Sequence, residues 1–354
     1  MRIVSAALGE VTRVAGDVFG DTWSTCEGPD GQLYAAADDT RGFGGVCSSN
    51  LAVNILNGQP PQLTGRTVNP MTQFGGMCET GPDLGNWKAN GITAVDGSVL
   101  LSVSRHRYMA PPFWQQDAWD ASVIRSDDGG ETWSTATSLD VTSRSTATSL
   151  DVTSRSPAPR LGEAMFPGRA FATPWFIDYG AHTPVAPHGA DEYVYALSSN
   201  GYWNNGNAMT LGRVPRDLIT RLDPADWQYA SGFVADPNPD PTDRQVGEPV
   251  WRDRVDLALP VFQAPGRTGM AGATWVAPLG LYVLPQWHFP YLDRPNPARW
   301  QHSRWELFSA TRPWGPWTSF FTAEFAPQGF YNPSIPSRFI SEDGRTLWIL
   351  TCGD

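Results

Sequence analysis

Residues 20–39, GDTWSTCEGPDGQLYAAADD, read as a β-hairpin: a short strand over 23–27, a Gly-Pro-Asp-Gly turn, and a strand over 32–38. Asp-Gly between two extended runs is a strong hairpin signal, because glycine supplies the positive φ that the turn needs. An acidic residue stands at each open end, Asp21 before the first strand and Asp38 and Asp39 after the second. The open ends of a hairpin lie on one side, so these carboxylates are expected to be neighbours. A three-residue loop at 29–31 sets Asp21 opposite Asp39, a two-residue loop sets it opposite Thr40, and a four-residue loop opposite Asp38.

The hairpin recurs. Strand, turn, strand also fits 88–106, 170–201, 269–289 and 331–354. Each of the first four is followed by a second pair of candidate strands. These are 51–56 with a weaker piece near Thr67, 121–126 with 131–138, 207–214 with 226–232, and 304–310 with 316–325. Four groups of four strands and a final lone hairpin predict an all-β, five-bladed β-propeller, one domain over residues 1–354. The segment before Gly20 is expected to close the last blade and cover its exposed edge.

Composition agrees with many short strands joined by turns. The 354 residues include 35 glycines, 31 prolines and 16 tryptophans, and no long 3.6-period apolar segment stands out. A net charge of −11 argues against nucleic acid, which needs clustered lysine and arginine. No run approaches the roughly 20 apolar residues of a membrane span. The opening MRIVSAALGEVTR is too short in apolar residues for a secretory signal, which predicts a cytoplasmic protein unless a leader lies outside this sequence. Cys26, Cys47, Cys78 and Cys352 have no metal-ligand spacing. Cys352 is expected to lack a disulfide partner, and any bridge is expected among the other three. No cofactor is expected; a structural cation such as calcium is compatible with the sequence, as is a monomer.

The run STATSLDVTSR at 134–144 is repeated without change at 145–155. An exact repeat of this kind reads as an exposed insertion without function. Deletion of 145–155 should leave folding and activity nearly intact, because loop closure changes by only about 0.6 kcal/mol per doubling of length. Soluble expression and turnover of the deletion variant check this, and loss of either would make the repeat structural.

If the hairpins surround an axis, one face collects what lies at their open ends. The first hairpin contributes Asp21, Trp23, Asp38 and Asp39, and the second Lys88, Arg105 and His106. The third contributes Asn200, Trp203 and Asn204, the fourth Gln286 and His288, and the fifth Tyr331, Asn332 and Asp354. Aromatic faces beside fixed polar groups are the makeup of a carbohydrate site. Each residue also has a structural reading: the aspartates as turn formers, Lys88 as a surface charge, the histidines and tryptophans as packing. The functional reading rests on their convergence.

Two resemblances follow from motifs. SDDGGETW at 126–133 matches the Asp-box, S-x-D-x-G-x-T-W, a turn between outer strands of propeller blades, and SEDGRTLW at 341–348 is a shifted echo. The box implies fold rather than chemistry. The run D-x-W, L-Y, D-x-x-G-F (Asp21, Trp23, Leu33, Tyr34, Asp39, Gly42, Phe43) resembles the opening hairpin of five-bladed propeller proteins that include endo-acting arabinan-cleaving glycoside hydrolases. The resemblance continues at 88–91, 193–217, 313–318 and 336–344. In the broader set of arabinanase-like glycosidases, an aspartate opening the inner strand of blade one is the general base, and Asp21 matches it. That set takes a second aspartate from blade two and a glutamate from blade three. Here blade two opens with Lys88 and blade three has no carboxylate at that place, so the acid does not carry over.

The reading is therefore a glycoside hydrolase of a furanose-rich, arabinan-like polysaccharide, secreted or periplasmic by its substrate. Asp21 is the expected base or nucleophile and Asp39 the acid, with Asp38 and Glu163 as further candidates for the acid. Lys88, Arg105 and His106 would hold the substrate or tune the carboxylates. Trp23, Asp38, Asn200, Trp203, Gln286, His288, Tyr331 and Asn332 would line the subsites. Two other classes remain: a polysaccharide lyase using Tyr331, His106 or His288 as base with Lys88 or Arg105 as cation, and a glycan-binding propeller without catalysis.

Overall fold

The computed structural model describes residues 3–81, 83–108, 115–134, 164–181, 187–190, 192–234, 247–293 and 298–353. Glu163, Asp354 and the duplicated run beyond Ser134 lie outside the described residues.

The described residues form five antiparallel sheets. Sheet one holds β1 (Val18–Glu27), β2 (Leu33–Phe43), β3 (Ser49–Gln59) and β4 (Gln62–Asn69), and sheet two β5 (Asn86–Val95), β6 (Ser98–Tyr108) and β7 (Gln116–Ser126). Sheet three holds β8 (Trp175–Phe176), β9 (Tyr193–Ser199), β10 (Gly206–Pro215), β11 (Gln228–Phe233), β12 (Pro249–Arg252) and β13 (Phe262–Thr268). Sheet four holds β14 (Thr274–Val276), β15 (Leu281–His288), β16 (Ser303–Ala310) and β17 (Thr318–Phe325). The last sheet is only the ribbon β18 (Tyr331–Ser334) and β19 (Leu350–Cys352).

The sheets touch in a ring: β1 meets β5, β5 meets β8, β13 meets β15, β15 meets β18, and β18 and β19 return to β1. The fold is all-β and propeller-like. It has four blades of three or more strands, not the five expected, and the ribbon fills the remaining gap. The segment before Gly20 does not complete a blade. Residues 3–15 carry no strand and are mostly exposed. Ile3 packs on Val276, Val283 and Ile335, while Val14 packs beside Leu33, Phe43 and Leu63. Ile3 and Val14 anchor the segment while Val4, Leu8 and Val11 between them are exposed, which makes a strap rather than a strand, since a strand would need an alternating buried face.

Packing between sheets follows the period-2 patterns of the strands. Tyr34, Val53 and Ile55 of sheet one meet Trp87, Leu101 and Ile124 of sheet two, with Trp133 at their edge. Trp133 is placed by the 126–133 turn: the Ser126 hydroxyl accepts from Gly130 N–H at 2.8 Å, and Asp128 accepts from Thr132 N–H at 2.9 Å. The Trp133 indole N–H closes the turn on Gly130 O at 2.9 Å. Gly91 shows how closely the inner strands approach. Its N–H donates to Pro174 O at 3.1 Å, and a Cβ there would lie 2.5 Å from the Trp175–Phe176 backbone.

Candidate active site

Blade one carries the acidic cluster, and its register has two parts. Near the turn Glu27 pairs with Leu33 and Ser24 with Ala36, the register of a three-residue loop. Gly28 N–H closes that loop on Gln32 O at 2.8 Å. Between Ser24 and Asp21 the register shifts by one, so Asp21 stands opposite Asp38 rather than Asp39. The cause is a bulge: Thr22 and Trp23 have φ of 69° and 44°, in the left-handed region. Asp39, with φ 39°, and Asn332, with φ 52°, add two more such residues at the same place. Non-glycine residues in this region are strained and persist only where surrounding contacts hold them.

The contacts are specific. Lys88, near the start of β5, donates from Nζ to Asp39 Oδ2 and stands 3.8 Å from Asp38 Oδ1. Cys78 N–H donates to Asp39 Oδ1 at 3.2 Å. Thr22 Oγ1 donates to Asp38 Oδ2 at 2.9 Å and accepts from Asn332 Nδ2 at 3.1 Å. Tyr331 Oη donates to Asp21 Oδ1 at 2.7 Å. Three carboxylates from one hairpin therefore surround one ammonium, tied to blade two through Lys88 and to the closing ribbon through Tyr331 and Asn332.

Exposure divides the three acids. The Asp38 side chain is 0% exposed, that of Asp39 15%, and Asp21 is half-buried. Burial pushes the Asp38 carboxyl well above its ordinary value; Lys88 opposes this, and the charges of Asp21 and Asp39 add to it. Burial alone would lower Lys88, but Asp38, Asp39 and Asp21 outweigh it and hold the ammonium above its ordinary range. Asp39 is the carboxylate bonded directly to Lys88, while Asp38 stands 3.8 Å from it with burial acting against its charge.

Beside the acids lies an aromatic floor. Trp203 packs edge-on against Trp287 at 4.8 Å and Tyr331 at 5.6 Å, with His106 at 6.5 Å. His106 is fully buried and accepts or donates at Nε2 with Ser104 Oγ, 2.9 Å away. Burial pushes its imidazole well below the ordinary value, with Lys88 and Arg105 adding, so the ring is neutral. His106 Nδ1, Trp203 Nε1 and Asn332 Oδ1 are buried and find no partner among the described residues.

Lys88, Asp38, His106, Trp203, Tyr331 and Asn332 are thus brought together with Asp21 and Asp39. Other expected site residues are not. Trp23 turns outward because of the bulge and packs with Phe43, Phe339 and Trp348, its Nε1 donating to Gly20 O at 2.9 Å. Arg105 lies on the opposite face of β6 from His106. It chelates Asp83, donates to Gly85 O and lies 4.8 Å from the centroid of Trp87. Asn200 Oδ1 caps the β9–β10 connection, accepting from Asn207 and Ala208 N–H. Gln286 is buried between sheets, accepting from Gly269 N–H at 3.1 Å. His288 pairs across the sheet with Arg304. Burial first, then Arg304 and Arg267, push its imidazole down to about 4. Thr22 and the backbone of Cys78 are the contacts that sequence reasoning missed; only the bulge and the loop return bring them in.

The Arg105–Asp83 pair makes a prediction. Burial tends to raise Asp83, but the Arg105 hydrogen bonds and charge outweigh it and hold the carboxyl below its ordinary value. A lowered folded value means stability that is present above the unfolded value, about 3.9, and lost as pH falls through the folded one. Wild type should melt above Asp83→Asn at neutral pH, and the gap should close below about pH 4. Thermal melts of both proteins from pH 6 to 2 check this.

Among the described residues no three His, Cys, Asp or Glu side chains are arranged to hold a metal ion. No protein-family model matches the chain, and no curated protein matches it. Similar solved structures exist. A candidate hydrolase from Bacteroides ovatus has a TM-score of 0.50 at 14% identity, over 94% of this chain and 78% of its own. A xylan β-1,4-xylosidase from Bacillus halodurans has a TM-score of 0.49 at 10% identity, over 95% of this chain and 49% of its own. A GH43 endo-arabinanase from Bacillus licheniformis has a TM-score of 0.45 at 10% identity, over 97% and 96%. At these identities the likeness is one of fold, and the chain spans about half the length of the xylosidase.

Proposed function

We propose that the protein is a glycoside hydrolase acting on a furanose-rich polysaccharide, with arabinan as the first candidate. The observation that carries this reading is the clustering of Asp21 and Asp39, both reachable from solvent, around a shared buried charge system at the centre of the ring. Glycoside cleavage needs one carboxylic acid to protonate the leaving oxygen and one carboxylate to act on the other side of the sugar.

The ion pair with Lys88 suits Asp39 to the carboxylate role and leaves Asp21 as the acid. This exchanges the roles suggested by resemblance. Because Asp21 faces Asp38, Asp21 and Asp39 form a diagonal pair, which supports inversion with a water between base and sugar. Trp203 and Tyr331 are buried and act behind the acids as packing, Tyr331 holding Asp21 through its hydroxyl. The lyase reading has less support, since Lys88 and Arg105 are both engaged by internal carboxylates and are not available to neutralise a uronate.

A polysaccharide panel tests the proposal, with neutral furanose-rich and uronate-containing members assayed for new reducing ends and ultraviolet absorbance. New reducing ends without absorbance are expected from a neutral member. Absorbance from a uronate polymer would replace hydrolysis by elimination, and binding without products would leave a lectin-like propeller.

A further inference from the structure

Of the 25 lysine and arginine residues in the chain, Lys88 is the only lysine. It is also buried, with its side chain 5% exposed, at the centre of the acidic cluster. We propose that Lys88 is a positioning residue and not a substrate ligand: its ammonium fixes the Asp39 carboxylate at the axis and ties it to Asp38 below. This rests on the reading of Asp39 as the base.

The geometry explains why this cation is a lysine. An ammonium is a compact point charge with three donors that can face carboxylates in different directions. A guanidinium is a planar fork suited to a single coplanar carboxylate, as Arg105 is used on Asp83. Lys88 must meet Asp39 and Asp38, consecutive residues that a regular strand would point to opposite faces, and the left-handed φ of 39° at Asp39 breaks that alternation where both approach one ammonium. That conformation needs outside support. Lys88 supplies it at Asp39 Oδ2 and Cys78 N–H supplies it at Oδ1. The groups facing Lys88 are Asp21 from β1, Asp38 and Asp39 from β2, Cys78 after β4, and Ser104 and His106 from β6; Tyr331 from β18 reaches it through Asp21. His106 is neutral, so the carboxylates alone answer the ammonium.

A single lysine makes the test direct. Full-length protein grown with isotope-labelled lysine gives one ε-side-chain signal in nuclear magnetic resonance. That signal should be an ammonium resonance protected from amine reagents, and it should move during acid titration. In Asp39→Asn the signal should shift, because the carboxylate bonded to Nζ is replaced by a neutral amide. In turnover, Lys88→Met should lower kcat by about 10²-fold with KM nearly unchanged, since misplacing a reacting group by about 1 Å costs that much. The acidic limb of its pH profile should move to higher pH, because removing a cation makes the base easier to protonate. Lys88→Arg should not restore the rate. A raised KM at wild-type kcat, or a lysine signal indifferent to Asp39→Asn, would overturn the proposal. If the wild type cleaves no glycan, the hydrolase reading fails by itself and the lysine signal still decides the role of Lys88; it also decides if Lys88→Met does not fold.

Discussion

Asp39→Asn is expected to lose turnover on polysaccharide by about 10²–10⁴-fold, and Asp21→Asn by a similar factor, because each removes one proton-transfer partner. The two variants should part company on an aryl glycoside of the true substrate. A nitrophenolate leaving group needs no protonation, so Asp21→Asn should recover much of the wild-type rate there. Asp39→Asn should not recover, since the attacking water still lacks its base. Both amides keep the shape of the side chain, so melting points should change little and weak glycan binding should persist. Asp38→Asn should cost far less than either. Asp38 is wholly buried, out of reach of substrate, and burial disfavours its charge, so a neutral amide is tolerated there. Recovery by Asp39→Asn instead would return the roles to those of the resemblance, and wild-type rates in both would place the chemistry elsewhere.

The second large effect is structural. Trp287→Ala is expected to destabilise the protein by about 3–5 kcal/mol, the range for removing a buried tryptophan. Trp287 is 0% exposed and packs on Trp203, Phe289 and Tyr331. Its Nε1 donates to Met270 O at 3.0 Å, so truncation also leaves a carbonyl without that donor. Gly269 lies so close that a Cβ there would meet Trp287 Nε1 at 2.5 Å, which leaves little room to collapse the cavity without moving backbone. Denaturant unfolding measures the change. A loss under about 1 kcal/mol would mean the aromatic cluster is looser than its packing implies. Activity should fall as well, because Tyr331 carries the hydrogen bond to Asp21 and rests on this ring.

Much of the architecture was legible in short-range signals. The Asp-Gly turns and period-2 runs located nearly every hairpin, and Asp21, Asp39, Lys88, Tyr331 and Asn332 were placed at one axis from hairpin ends alone. The failures have physical causes. The sequence leaves three loop lengths open and the structure takes 29–31, but a bulge at Thr22 and Trp23 has no residue signature and moves Asp21 from Asp39 to Asp38. The same bulge turns Trp23 away from the acids, to pack half-buried beside Phe43. Arg105 was assigned to the face by its neighbour His106, although adjacent strand residues point to opposite sides. The missing fifth blade came from expecting edge protection to require a strand, where the ribbon β18–β19 and a strap suffice.

Hydrolysis in heavy-oxygen water tests the central claim most directly. If Asp21 and Asp39 activate water against a glycosidic bond, mass spectrometry at short times will find the heavy oxygen at the new reducing end of each product. Asp21→Asn and Asp39→Asn should form no labelled product from polysaccharide under the same conditions. Products that carry no label and gain a double bond, or labelled products formed at equal rates by both variants, would contradict the account.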